Sequence, residues 1–358
     1  MKNKLVSLLL PLALLGCSKQ QPPASSSTAT GSATKTAVAA PQINFVESPE
    51  TTEQNLIKSQ AWTLYTNKDY AGLEAMATNY RASKERYATG FWKLALVYNA
   101  LEPARKGSDA DWQAQFKQIQ DWIKARPTAV VPRIALARML TSYAWKARGG
   151  DWADKVKEAD WNLFFARLKK AMTSLQEAKQ LKEKCPVYWS SLQMIALGMQ
   201  FEKPRYNTVF SQAIQEFPDY EYYYNARANY LQPRWHGEEG EWEKDLTKSA
   251  DRVGGAAGDM LYAQVVWDVN HHGGVGSAGP FLKINKSAWE RVDKGFGVIL
   301  QQFPDSLAAK NARAFLAALA GEKEKARTYF LETKGLVDLK QWGEQKNIDN
   351  FLEWAFSP

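Results

Sequence analysis

The sequence has few of the residues that usually carry catalytic or metal-binding chemistry. Its 358 residues include only two cysteines and three histidines. No cysteines or histidines have the spacing of a zinc site. The phosphate-binding pattern G-x-x-x-x-G-K-[ST] and the serine-hydrolase turn G-x-S-x-G are both missing. We therefore expect no cofactor and no enzymatic activity.

Positive charge is in excess but is not concentrated. The formal net charge is +8, and the lysines and arginines are spread through the predicted helices. No basic block with interleaved aromatic residues, of the kind that follows a phosphate backbone, occurs. We predict a solvated surface and no binding of nucleic acid.

The chain begins with the pattern of a bacterial export signal. Lys2 and Lys4 precede the apolar run LVSLLLPLALL, which is too short to span a membrane as a mature helix. The run ends in LLGC (Leu14–Cys17), which resembles the lipobox of bacterial lipoproteins. The resemblance implies removal of residues 1–16 as a signal peptide and lipidation of Cys17. Because Ser18 follows instead of aspartate, it also implies an outer-membrane lipoprotein facing the periplasm.

The mature chain would then begin with a tether. Loss of the signal leaves 44 basic and 38 acidic residues, a net charge of about +6, and lipidation of Cys17 leaves Cys185 without a disulfide partner. Residues 18–50 are rich in Ser, Thr, Ala and Pro and have almost no bulky apolar groups, which is typical of a flexible spacer. We predict a lipidated tether over residues 17–52 and a folded domain over 53–358.

Hydrophobic periodicity in the folded part is helical. The stretch FWKLALVYNAL places Leu94, Val97, Tyr98 and Leu101 on one stripe. Sustained alternation of apolar and polar residues is missing, so the sequence predicts an all-α fold. A longer stretch, WNLFFARLKKAMTSLQEAKQL, places a further set on a predicted buried stripe: Leu163, Phe164, Leu168, Met172, Leu175 and Leu181.

Two segments, QEFPDYEYYYNARANYL and QQFPDSLAAKNARAFLA, share the pattern Q-x-F-P-D-x5-N-A-R-A and lie 86 residues apart. Weaker copies surround Pro127 and Pro186. In each unit we predict that one helix ends and that the proline begins the next in its first turn. Pro218 and Pro304 hold this place in the strong copies.

These units resemble the tetratricopeptide (TPR) family, which repeats a helical hairpin about every 34 residues. The late aromatic, small residue and proline of that repeat are matched by Phe210, Ala213 and Pro218 and, with one substitution, by Phe296, Ile299 and Pro304. The early part of the family motif is not recognisable in most units. The resemblance implies a TPR-like α-solenoid of stacked antiparallel helical hairpins. Residues 67–101, with the later YLQPRWHGEEGEWE, also resemble an uncharacterised TPR-like bacterial family without established activity.

One block, NYLQPRWHGEEGEWE (Asn229–Glu243), combines carboxylates, tryptophans and a histidine. Paired carboxylates beside aromatic rings suit a glycan-processing hydrolase. Alternatively, the block is a connector: a helix begins near Gly240, with Glu239, Glu241 and Glu243 in its first turn, and Trp235 fills the space between repeats. A third hypothesis is a transition-metal site made by His236, Glu238 or Glu239, and His271 or His272.

The remaining hypothesis is a surface that binds an envelope protein or peptide. A helical solenoid leaves a groove, and tyrosine, tryptophan and arginine are frequent interface anchors. The tyrosines at 220, 222, 223, 224 and 230 circle one predicted helix, so we expect some of them to face solvent. The predicted binding residues are Tyr223, Arg227, Tyr230, Arg234, Trp235 and Trp242.

Overall fold

The computed structural model describes residues 39–103, 107–272 and 278–357, with the side chain of His272 excepted. Helix dominates these ranges, which confirms the predicted all-α class. The predicted signal peptide, the lipidation site at Cys17, most of the predicted tether and the glycine-rich residues 273–277 lie outside them. The helices are α1 (Pro49–Thr66), α2 (Tyr70–Ser83), α3 (Leu94–Ala100), α4 (Asp109–Ala125), α5 (Val131–Arg148), α6 (Glu158–Lys179), α7 (Pro186–Gly198), α8 (Lys203–Glu216), α9 (Tyr222–Tyr230), α10 (Glu241–Val253), α11 (Gly255–His272), α12 (Gly279–Ile284), α13 (Lys286–Gln302), α14 (Leu307–Leu319), α15 (Lys323–Leu331), α16 (Leu339–Trp342) and α17 (Gln345–Phe356).

Local sequence explains where several of these helices begin. The Ser48 hydroxyl accepts a hydrogen bond from the backbone of Thr51 at the start of α1. At α4, Ser108 and Asp111 form a reciprocal capping box. Each cap supplies a partner to backbone N–H groups that have none within the helix. No described helix is both long and apolar enough to cross a bilayer.

The folded domain begins earlier than predicted. Strand β1 (Asn44–Phe45) pairs in parallel with β2 (Leu336–Val337), and α1 starts at Pro49, so residues 44–52 are not part of the tether. A two-residue strand is too short to produce a periodic signal, which is why the predicted boundary at residue 52 was wrong. The pairing also joins the first described segment to a segment near the end of the chain.

The two strong repeats are built alike. One consists of α8, an F-P-D turn and α9, and the other of α13, an F-P-D turn and α14. Arg227 donates to Asn207 (2.8 Å) in the first, and Arg313 donates to Asp293 (2.9 Å) at the corresponding positions of the second.

The prolines of the repeats do not all begin helices. Pro218 and Pro304 lie in the turn, several residues before α9 and α14, so their predicted placement in the first helical turn was wrong. Pro127 also lies between helices. Only Pro186 begins its helix, α7, as predicted among these four.

Neighbouring helices pack in pairs along the chain. Contacts join α4 to α5, α5 to α6, α10 to α11 and α14 to α15, and α11 also packs on α13. Gly295 of α13 lies so close to α11 that a Cβ atom would come within 2.1 Å of the Asp259 carbonyl oxygen. Helix α1 contacts α14. Pairwise packing agrees with the hairpins that the TPR resemblance implies, while their stacking into a solenoid stays a prediction.

Candidate functional site

The block Asn229–Glu243 forms the connection between α9 and α10. Gly240, with a positive φ of 73°, precedes the helix, and Glu241 and Glu243 occupy its first turn. A Cβ atom on Gly237 would lie 1.7 Å from the Leu231 carbonyl oxygen, so the tight turn requires glycine there. These positions match the connector interpretation, except that Glu239 was wrongly predicted in the first turn and lies before Gly240.

One glutamate of this connection, Glu241, has structural partners. Glu241 forms an ion pair with Lys203 (2.7 Å) and accepts the backbone N–H of Glu238 (2.8 Å). Partial burial alone would raise the pKa of Glu241, but these hydrogen bonds hold it below its usual range. Burial raises the pKa of Glu243. Carboxylates in a first turn are also favoured by the helix dipole.

The histidines and Glu238 are not brought together as a metal site. The His236 ring stacks on Tyr230, with centroids 4.6 Å apart, and burial lowers its pKa. His271 lies against Trp267 and places Nε2 3.1 Å from the Lys340 carbonyl oxygen. In the described part of the chain, no three histidines, cysteines or carboxylates are grouped so that they could hold a metal ion. The hypothesis of a site at His236, Glu238 and His271 therefore fails, because the two histidine rings pack on different elements.

Three of the predicted binding residues belong to the core. Tyr223 and Tyr230 are fully buried and Trp242 is 7% exposed. The hydroxyl of Tyr223 donates to the carbonyl of Pro186 (3.0 Å), and that of Tyr230 donates to the carbonyl of Phe201 (2.5 Å). Burial raises the pKa of both tyrosines. Their prediction as docking residues was wrong, since α9 is covered by α7, α8, α10 and α11.

The other three predicted residues form no continuous surface. Arg227 makes a two-pronged ion pair with Asp245 (2.6 and 2.7 Å), and its side chain is 12% exposed. Trp235 packs edge-on against Trp145, with centroids 5.8 Å apart. Arg234 is exposed and donates to Asn229 (2.9 Å). A partner could touch Arg234, but the aromatic anchors expected around it are covered.

A groove with an apolar lining lies elsewhere, where α4, α5 and α6 meet. It has a volume of about 430 Å³. Its lining residues are Gln113, Phe116, Gln120, Leu136, Leu140, Tyr143, Leu163, Ala166, Arg167, Lys170, Thr173, Ser174 and Glu177. We call it the α4–α6 groove.

The floor of the α4–α6 groove is apolar and partly open to solvent. Leu136 and Leu140, one turn apart on α5, are half-buried, and Phe116 and Tyr143 are buried beside them. Leu163 on the α6 wall is 47% exposed. Apolar side chains left open inside a concave surface favour the binding of another apolar group.

One wall of the groove carries a fixed cation. The Arg167 guanidinium carbon lies 3.3 Å from the centroid of the Tyr143 ring, and Nη1 donates to the Tyr143 carbonyl (2.6 Å). The Tyr143 ring is itself stacked on Trp112, with centroids 5.0 Å apart. Stacking of Arg167 on a buried aromatic pair restricts its rotamers before any partner arrives.

No carboxylate that the structure describes forms a close ion pair with the cations of this wall, although the hydrogen bond from Lys146 and, to a smaller extent, the charge of Arg167 lower the pKa of Asp109. Neither Arg167 nor Lys170 forms an ion pair within the described ranges. The neighbouring acids are engaged elsewhere: Asp109 with Lys146 (2.8 Å) and Glu177 with Arg133 (3.8 Å). The groove thus offers an apolar floor beside two cations for which the described residues provide no close ion pair.

The sequence patterns did not identify this groove. Its lining comes from residues spread over positions 113–177, and Leu163 was assigned to the buried stripe of its helix. One available signal was the pair Leu163 and Phe164, because adjacent residues on a helix point about 100° apart and cannot share one face. Phe164 is buried and Leu163 is exposed.

Comparisons with known proteins provide no relative. No family model matches the chain, and no curated protein is similar enough to be reported as one.

Proposed function

We propose that the chain is a membrane-tethered, TPR-like lipoprotein that acts as a docking module for another protein in the cell envelope. The LLGC sequence supports lipid attachment at Cys17, and Ser18 supports an outer-membrane position facing the periplasm. The paired helices support a TPR-like scaffold whose grooves receive a partner.

The observation that carries this proposal is the α4–α6 groove. Its leucines at positions 136 and 140 are only half-buried although they stand in the middle of α5, a helix that is otherwise largely covered. Covering them with apolar groups of a partner would contribute about 25 cal/mol for each Å² of apolar surface removed from water. The groove replaces the Tyr223 region as the docking surface in this proposal.

The alternative of a metal-dependent or glycan-processing hydrolase receives no specific support. Its required corner of His236, Glu238 and His271 is not assembled, and Glu241 is engaged by Lys203. A second function is therefore not proposed.

Site-specific photocrosslinking tests the docking function. A photoreactive amino acid is placed in the groove, at Gln120 or Leu163, and at the exposed control positions Lys248 and Ile284, in cells that produce the full chain. We expect a discrete adduct from the groove positions only, and its loss when Leu140→Glu is added. Circular dichroism of Leu140→Glu verifies that the fold persists. Identical adducts from all four positions, or none from the groove, would overturn the proposal.

The membrane tether has its own test. The wild-type chain should fractionate with membranes and its N-terminal peptide should show the mass of an acylated Cys17. The Cys17→Ser variant should move to the soluble fraction. An unmodified Cys17 in membrane-free material would contradict the lipoprotein assignment without affecting the groove.

A further inference from the structure

We infer that the α4–α6 groove receives one acidic amphipathic helix, with apolar residues against Leu136 and Leu140 and carboxylates against Arg167 and Lys170. The inference rests on the proposed docking function and specifies the chemistry of the partner. Three properties of the groove support this inference: its length, the shape of its floor and the placement of its two cations.

The length of the groove suits a helix. The α6 wall is lined from Leu163 to Glu177. At 1.5 Å of rise per residue, this wall is about 21 Å long. The lined parts of α4 (113–120) and α5 (136–143) are each about 10 Å long, so a docked helix would contact all three helices over about two turns. A helix of about 14 residues would reach along the whole α6 wall and place two apolar anchors at helical spacing on the floor.

The floor of the groove has the shape of a surface on which another helix packs. Leu136 and Leu140 form an i, i+4 ridge on α5, with α4 on one side and α6 on the other. Ridges of this spacing fit between the side-chain rows of another helix. The lining is made of helices throughout, so it offers no strand edge to which an extended peptide could add by backbone pairing.

The positive charge of the α6 wall favours a partner with negative charge. Arg167 and Lys170 are three residues apart on α6 and therefore lie on one face of that helix. The nearest ion pairs of Asp109 and Glu177 are with Lys146 and Arg133, although Arg167 adds to the hydrogen bond from Lys146 in lowering the pKa of Asp109. The hydrogen-bonding groups of Arg167 and Lys170 are therefore available to a carboxylate of a partner. A basic helix would instead place like charges together, so the wall discriminates between partners by repulsion as well as attraction.

The Arg167 side chain is already held in place before a carboxylate binds. Its guanidinium is stacked over Tyr143 and uses Nη1 for the Tyr143 carbonyl, which leaves other N–H groups for an incoming carboxylate. A side chain that is already fixed loses little conformational entropy on binding. The amides of Gln113 and Gln120 on the opposite wall provide neutral hydrogen-bonding groups. The acidic face of the partner should therefore lie toward α6.

The test uses a displayed library of 16-residue peptides with leucine fixed at helical spacing. Flanking positions are randomised among Asp, Glu, Lys, Arg, Gln and Ser, and the bait is the mature chain in detergent micelles. We expect Asp and Glu to be enriched in selected peptides. A selected peptide should bind at least about tenfold more tightly than its charge-swapped version, with an affinity that falls as salt increases.

Variants assign this preference to the groove. The double variant Arg167→Glu with Lys170→Glu should reverse the order of the two peptides. The matched double variant Lys244→Glu with Lys248→Glu on α10 changes the net charge equally and should leave the order unchanged. Proline at the centre of the selected peptide should abolish binding, because a helical ligand cannot accommodate it.

Several results would overturn the inference: equal enrichment of acidic and basic peptides, a preference that survives Arg167→Glu with Lys170→Glu, tolerance of the central proline, or binding of anionic vesicles in place of peptides. If photocrosslinks still arise from Gln120 and Leu163 in such a case, the docking function stands and only the assigned partner is wrong. If neither crosslinks nor peptides are obtained, both proposals fail.

Discussion

Asn225 and Asn311 hold the same position in the two strong repeats, but only the side chain of Asn311 has hydrogen-bond partners. Asn311 donates to the carbonyls of Leu307 (3.0 Å) and Leu336 (3.2 Å) and accepts from the indole N–H of Trp342 (2.7 Å). Asn225 is 6% exposed, and neither polar atom of its side chain has a partner. The side chain of Asn311 is thus fixed by contacts with Leu336 and Trp342 near the C-terminus, and among the described residues the side chain of Asn225 has no such contacts.

This difference predicts opposite outcomes for the same substitution. Asn311→Leu would leave buried partners such as the Trp342 indole N–H unpaired, so we expect the free energy of unfolding to fall by about 2–4 kcal/mol. Asn225→Leu removes two unpaired polar atoms and should change it by less than about 1 kcal/mol, or raise it. Urea denaturation of both variants measures this. Equal losses would show that Asn225 has a partner of its own.

The close crossing of α11 and α13 gives a second matched pair. Gly295→Ala would place Cβ 2.1 Å from the Asp259 carbonyl oxygen and 2.6 Å from the Ala263 side chain, so the helices must separate. We expect a loss of about 1–3 kcal/mol. At Gly297 on the same helix, no atom lies within 4 Å of an added Cβ, and Gly297→Ala should stabilise by up to about 1 kcal/mol. Thermal unfolding compares the two, and a similar melting temperature for both would count against the crossing.

Glu221 makes part of the stability depend on pH. It is 2% exposed and accepts the backbone N–H of Trp92 (2.7 Å) and a hydrogen bond from Arg86 (3.1 Å). Burial outweighs these contacts and raises the pKa of Glu221 from 4.5 to about 7. The folded state therefore holds this proton more tightly than the unfolded state. The contribution of Glu221 to stability is largest below pH 4.5 and is lost as the pH rises to about 7.

The glutamine in Glu221→Gln stays neutral, so this variant should lack the pH-dependent contribution of Glu221 to the free energy of unfolding. The free energy of unfolding of wild type minus that of Glu221→Gln is expected to fall, on the order of 1–3 kcal/mol, between pH 4.5 and 7.5. Urea denaturation of both proteins at several pH values gives this difference, in which other titrating groups largely cancel. A difference that does not change with pH would rule out the raised pKa.

Cys185 should be an unreactive thiol in the folded protein. It is 2% exposed and its Sγ lies 3.3 Å from the Tyr98 hydroxyl, and burial raises its pKa. Low access and a small thiolate fraction both slow attack on a disulfide reagent. In a Cys17→Ser chain at pH 8, we expect labelling at least about 100-fold slower than in urea. Labelling at the rate of a free thiol would place Cys185 at the surface.

Much of the fold could be predicted from the sequence because its signals are local. The stripe Leu94, Val97, Tyr98 and Leu101 is buried as the helical period indicates. The repeated Q-x-F-P-D-x5-N-A-R-A pattern identifies two hairpins that place Arg227 and Arg313 in matching contacts.

The candidate site could not be predicted in the same way because burial depends on distant elements. The tyrosines of α9 do circle the helix, but neighbouring helices cover Tyr223 and Tyr230. The periodicity of one helix does not show how many other helices pack against it. The α4–α6 groove depends on how far apart α4 and α6 stand over α5, which no residue spacing encodes.

The parallel pairing of Asn44–Phe45 with Leu336–Val337 has a consequence for how the molecule is made. During synthesis, the partner of the first strand emerges from the ribosome almost 300 residues later, so this pairing must wait until that segment has been made. Contacts of such sequence separation form slowly, since a long loop has to close first. The first strand is therefore expected to pair after the intervening helices have formed.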